Sequence, residues 1–222
     1  MTDWREKTTW YTYETPFKKI AKVFVEPVFN AMSVLDIAGY EHFPPSGPCI
    51  VAANHFSLLD ILYMGLYLPR YPHFMAKREL YKNAVFGWVI RQLGSFPVRR
   101  GEGDLWAMAQ AGRVLADGQV LFLFPEGTRG KHKAELKQGK NGVIKLALQH
   151  GVPVVPAAIW GTEKFKVGWK RNPVSIHIGP PLDVMALAGP PPYKHEVPRQ
   201  LTTLMMRKIA ELLPPEYRGM YA

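Results

Sequence analysis

His55 and Asp60, with four residues between them in Asn54-His55-Phe56-Ser57-Leu58-Leu59-Asp60, are the side chains of this sequence best matched to proton-transfer chemistry. A neutral imidazole takes up a proton near pH 7, and a carboxylate bonded to its other ring nitrogen fixes the tautomer and stabilises the imidazolium that forms. The pair lacks its nucleophile, because no Gly-x-Ser-x-Gly elbow occurs anywhere in the chain. A base without a protein nucleophile suits activation of a substrate hydroxyl. The same spacing has a second reading: Ser57 and Asp60 as a capping box for a helix opening into Leu58, Leu59, Ile61 and Leu62, with His55 a loop residue.

Three further blocks accompany the pair. Phe124-Pro125-Glu126-Gly127-Thr128-Arg129 follows the apolar run 120–124; there Gly127 permits close backbone approach to a ligand and Arg129 offers a planar fork suited to a phosphate monoester. Leu93-Gly94-Ser95-Phe96-Pro97-Val98-Arg99-Arg100-Gly101 and Val152-Pro153-Val154-Val155-Pro156 complete the set. In this order and spacing, over residues 35–180, the blocks resemble the signature blocks of the glycerolipid acyltransferases, the 1-acylglycerol-3-phosphate O-acyltransferase family.

The resemblance implies roles residue by residue. His55 becomes the general base and Asp60 its orienting partner, while Lys77, Arg99, Glu126, Gly127, Thr128 and Arg129 fall at substrate-binding positions. Pro97-Val98 departs from the family's pattern, and the doubled Arg99-Arg100 blurs which side chain faces the site. The implied reaction moves an acyl group from a thioester, either acyl-CoA or acyl-carrier protein, to a lysophospholipid hydroxyl. 1-Acylglycerol-3-phosphate is the favoured acceptor and phosphatidic acid the product. The acyl thioester is a co-substrate, and neither a cofactor nor a metal is required.

Elements that could position these residues alternate along the chain. Segments 49–53, 73–76, 120–124, 154–159 and 174–178 have the length and flanks of short strands, and 35–40 adds a further one. Segments 57–68, 104–116 and 142–149 carry helical apolar periodicity, the second opened by Asp104 and closed by Gly118, and 201–213 suits a closing helix. This alternation predicts one α/β domain, a mixed but mostly parallel sheet flanked by helices. His55 and Glu126 would both leave strand ends on one edge of that sheet.

Residues 1–34 form a separate expectation, an amphipathic membrane-interface segment ahead of an acyltransferase domain spanning 35–222. Phe17, Ile20, Phe24 and Val28 recur at helical spacing beside Lys18, Lys19 and Lys22, and Pro27 is expected to end or kink the helix. The alternative is a helix packed on the domain. A second basic group comprises Arg129, Lys131, His132, Lys133, Lys137 and Lys140.

Composition limits the partners. The 222 residues suit one domain, and 28 Lys and Arg against 18 Asp and Glu leave a formal charge of +10 that favours anionic partners. An anionic membrane surface, acyl-carrier protein and coenzyme phosphates all fit, as does nucleic acid by charge alone. No zinc finger, RRM octamer or basic-region heptad accompanies the charge, so nucleic acid is not expected as a partner. Cys49 is the only cysteine, and the first residues lack a signal peptide's apolar core. No stretch reads as a transmembrane helix. Together with the resemblance, these features place the protein on the cytoplasmic face of the membrane, peripheral or monotopic. A thioesterase activating water with the same base is the nearest enzymatic rival.

Overall fold

The computed structural model describes residues 3–99, 103–129 and 134–222. In chain order its main elements are α1 (Pro16–Met32), β1 (Ser33–Ala38), β2 (Cys49–Ala53), α2 (Leu59–Tyr67), β3 (Pro72–Lys77), α3 (Ala84–Gln92) and β4 (Ser95–Val98). There follow α4 (Leu105–Ala116), β5 (Val120–Leu123), α5 (Gly142–His150), β6 (Val154–Trp160), β7 (Asn172–Ile178), α6 (Val184–Ala188) and α7 (Val197–Leu212).

The strands form one sheet in the order β1-β7-β6-β2-β5-β3-β4. β6, β2, β5, β3 and β4 run parallel, whereas β7 pairs antiparallel with β6 and parallel with β1. Side chains alternate across β2. Ile50 and Ala52 join a core with Val114, Ile144, Met205 and Ile209 of α4, α5 and α7. Cys49, Val51 and Ala53 face the other way, among Tyr63 and Met64 of α2. Every residue of β2 is buried, as expected of a parallel strand covered on both faces. All the parallel strands point their C-terminal ends at one edge of the sheet.

Several boundaries and three elements differ from the sequence reading. β1 starts at Ser33, and α2 starts at Leu59, so Asp60 lies in its first turn. α3, β4 and the short α6 are additions. β4 is an edge strand, where Pro97 removes no needed ladder bond, and α3 leaves Val85, Phe86 and Trp88 exposed, which blurs its periodicity. α1 also runs through Pro27 to Met32. The carbonyl that Pro27 leaves unpaired belongs to Val23, which is 68% exposed and so open to water.

Ahead of α1, residues 3–15 lie against the domain. Arg5 is buried, donating to Asp104 at 2.6 Å and to Asp3 at 2.7 and 2.9 Å, with its guanidinium over the Trp106 ring. At the start of α1, Thr15 donates to the Gln92 carbonyl at 2.6 Å, and Lys18 is buried over Tyr71. At its other end Arg171 donates to the Asn30 carbonyl at 2.9 Å.

Candidate active site

His55 follows β2 directly, and its position is set from three sides. Asn54, fully buried, donates to the Ile159 carbonyl at 2.6 Å and accepts the Ile159 amide at 2.9 Å, stitching β2 to β6 where the strand ends. The His55 ring stacks on Phe124, with centroids 3.8 Å apart and planes at 12°. Nδ1 meets Asp60 Oδ2 at 3.0 Å. With Nδ1 committed to a carboxylate, Nε2 is the nitrogen left to accept a proton.

Both sequence readings of Asp60 hold at once. Its Oδ2 accepts the backbone amides of Phe56 and Ser57 at 2.7 and 2.8 Å as well as the imidazole, so one carboxylate caps α2 and orients His55. The backward reach is possible because His55 sits in the loop and Asp60 in the first turn of the helix; within one continuous helix, positions five apart do not face each other. Asp60 is completely buried, and Thr162 donates to its Oδ1 at 2.5 Å. Thr162 lies outside all four sequence blocks.

Glu126 is buried, and both of its carboxylate oxygens accept backbone amides. Its Oε1 accepts the His55 amide at 3.1 Å and its Oε2 the Lys137 amide at 3.2 Å, joining the ends of β2 and β5 to the segment before α5. Burial pushes its carboxyl up to about 7, against the pull of those two amides. Gly127 follows with a φ of +73°, which only glycine adopts without strain, and Lys140 packs over it. Thr128 and Arg129 are exposed beyond this turn.

Lys77 ends β3, in register with Val98 of β4, and Arg99 comes next. The sequence along the edge is therefore His55, Glu126, Lys77, Arg99. Strands lie about 4.8 Å apart, which puts Lys77 roughly 10 Å and Arg99 roughly 14 Å from His55 at the backbone. Their side chains are long enough to converge on a ligand bridging that span. The Lys77 ammonium lies 3.8 Å from Glu79 and is half exposed. The Arg99 guanidinium is 3.3 Å from Asp3, and its amide donates to Asp104 at 2.8 Å, tying the second block to the N-terminal segment. Arg100, and Lys131, His132 and Lys133 of the second basic group, lie outside the described residues.

Residues 34–160 match the family model described as Acyltransferase. The chain belongs to that family. This acyltransferase is 29% identical over 173 residues to the 1-acyl-sn-glycerol-3-phosphate acyltransferase of Bacillus subtilis, covering 78% of the chain and 84% of that relative. It is 33% identical over 160 residues to the human 1-acyl-sn-glycerol-3-phosphate acyltransferase alpha, covering 69% of the chain but only 56% of the longer human protein. The crystal structure of the 1-acyl-sn-glycerophosphate (LPA) acyltransferase PlsC from Thermotoga maritima superposes with a TM-score of 0.67 at 30% identity. That match covers 88% of this chain and 79% of the other. The expected α/β fold with its mostly parallel sheet is thus the fold of a solved acyltransferase.

Thr162, Asn54, Arg5 and the backbone amide of Lys137 are the contributors that the sequence did not reveal. Only Asn54 carried a signal, as the polar residue next to His55 at the end of an apolar run.

Proposed function

We propose that the protein transfers a fatty acyl group from an acyl thioester to the free hydroxyl of 1-acylglycerol-3-phosphate, giving phosphatidic acid. The observation that carries this reading is the buried His55–Asp60 pair, 3.0 Å apart, on the same sheet edge as Lys77 and Arg99, with Arg129 exposed beyond the turn that follows β5. His55 Nε2 takes the hydroxyl proton as the oxygen attacks the thioester carbonyl. The tetrahedral intermediate then collapses, the carbon–sulfur bond breaks, and the thiolate recovers the proton from His55. Asp60 stabilises the imidazolium in between. General-base assistance of this kind supplies about 10²–10⁴-fold.

The cationic strand ends support a phosphate-bearing acceptor, with Lys77, Arg99 and Arg129 orienting the glycerol so that its hydroxyl meets Nε2. Glu126 acts differently from a ligand contact: it sets the His55 backbone and the Lys137 segment. Leu58, just ahead of α2, and Leu62 within it, 62% and 42% exposed beside the dyad, offer apolar surface to an acyl chain.

The proposed setting is an anionic membrane surface on its cytoplasmic face, with peripheral or monotopic attachment through α1. Ile20, Phe24 and Val28 are 59%, 71% and 52% exposed, so the apolar stripe points away from the domain. Lys19 and Lys22 are exposed beside it, whereas Lys18 is buried on the domain side and Phe17 packs edge-on against Trp88. No helix among the described residues is long and apolar enough to cross a membrane.

The test is to incubate purified protein and its His55→Ala and Asp60→Asn variants with a panel of lysolipids and both acyl-CoA and acyl-carrier-protein donors, then identify products by mass spectrometry. Phosphatidic acid from the parent protein and loss of more than nine-tenths of activity in His55→Ala are expected, given the size of base catalysis. Free fatty acid as the sole product would identify a thioesterase instead.

A further inference from the structure

Asp60 carries a full charge's worth of acceptor capacity in a site with no solvent exposure, so every donor around it matters. Its two oxygens are unequally served. Oδ2 takes three donors from the adjacent loop, namely His55 Nδ1 and the amides of Phe56 and Ser57. Oδ1 takes Thr162, a donor 102 positions away in sequence, itself buried at 2% exposure. From this asymmetry we infer that Thr162 is a positioning residue for acyl transfer, locking the rotation of the Asp60 carboxylate so that Oδ2 stays in line with the His55 ring.

The terminal torsion of an aspartate is broad, so packing and hydrogen bonds must choose its setting. With Oδ1 left without a donor, the carboxylate gains by turning to share the three loop donors between both oxygens. The bond to Nδ1 then lengthens or bends, and the imidazole loses both its fixed tautomer and its alignment. The Thr162 hydroxyl opposes that rotation from the far side.

The chain is shaped to deliver this hydroxyl. β6 ends at Trp160, and Gly161 turns the backbone at a φ of +90°, where an added Cβ would lie 2.2 Å from the Pro173 carbonyl oxygen. Glycine alone fits there, and the turn places Thr162 over the first turn of α2, closed by the Lys164 amide donating to the Gly161 carbonyl at 3.1 Å. A β-branched threonine has few χ1 settings, which suits a hydroxyl that must hold one direction.

This inference rests on the proposed acyl transfer, and the experiment separates the two. Steady-state kinetics of Thr162→Val, Thr162→Ser and Thr162→Val in an Asp60→Asn background are compared with the parent and with His55→Ala. Thr162→Val should lower kcat by about 10–100-fold, the size of a misplacement loss, and leave KM for both substrates within about twofold. Thr162→Ser, which keeps the hydroxyl, should return to within about threefold of the parent. In the Asp60→Asn background Thr162→Val should cost nothing further, because its effect passes through that carboxylate. Parental kcat in Thr162→Val, a serine variant as impaired as the valine one, or an additive loss in the double variant would each overturn the assignment. An active His55→Ala would instead sink the acyl-transfer reading and leave the test of Thr162 to the melting temperatures, which should fall in Thr162→Val and recover in Thr162→Ser.

Discussion

Replacing Glu126 with glutamine should make the protein more stable and less active, and the two effects should part with pH. Burial holds the folded-state carboxyl at about 7 against an ordinary value of 4.5. The folded protein therefore binds this proton more tightly than the unfolded chain does. Its stabilising contribution is complete below pH 4.5 and is lost as pH rises through 7. At 1.36 kcal/mol per pH unit, that difference amounts to about 3 kcal/mol, or roughly 6–12 °C in melting temperature for a chain of this size. Glu126→Gln resembles the protonated acid and has nothing to lose. Melting curves from pH 4.5 to 8 should start together and diverge, the variant ending higher. Glutamine can still accept from the His55 amide, but its second atom is an NH₂ that faces the Lys137 amide donor, so that segment must shift. We expect kcat to drop by about tenfold or more, in line with the loss from small misplacements. Parallel melting curves across the range would refute the argument, since they would mean that the Glu126 carboxyl titrates alike in the folded and unfolded chains.

Other outcomes are testable in the same protein. Arg5→Ala leaves Asp104 as an uncompensated buried charge and should destabilise by about 3–5 kcal/mol in urea unfolding. Lys18, lowered to about 7 by burial and only partly offset by Glu14, disfavours the folded state below pH 7, and its contribution improves as pH rises from 7 to 10.5. Lys18→Met should therefore flatten the rise in melting temperature over that interval. Arg129→Ala should raise the acceptor KM and lower kcat together, whereas a change confined to the KM for the acyl donor would move Arg129 to the donor site. Phe24→Glu on α1 should weaken sedimentation with anionic vesicles while sparing activity on a short-chain, water-soluble acceptor.

The parts of this structure that the sequence disclosed are those with local causes. β2, β5 and β6 are apolar runs because both their faces are covered, and the His55–Asp60 pair announced itself because loop and helix start lie within a few residues. α4 was bounded by Asp104, which accepts the Ala107 amide at 3.2 Å, and by Gly118 at a φ of +72°. What stayed hidden depends on chain segments meeting from afar. The partner of Glu126 is hidden in sequence because nothing local shows that β5 runs beside β2 and brings its carboxylate under the His55 amide, 71 positions away. Arg5 and Asp104 are separated by 99 positions, and Lys18 shows no local sign that it faces inward rather than toward Lys19 and Lys22. β4 was missed because an edge strand tolerates the proline that argues against a central one.

The sheet order also divides the active site by resistance to local unfolding. His55 extends from β2, the fourth of seven strands and buried along its whole length, whereas Lys77 and Arg99 extend from β3 and β4, at the sheet's margin. Marginal strands open at lower free energy than central ones, so amides of β4 should exchange with solvent well before those of β2. On warming, the proposed acceptor contacts at Lys77 and Arg99 would loosen while the proposed base stayed in place, and the first symptom of heat would be a rising KM rather than a failing kcat.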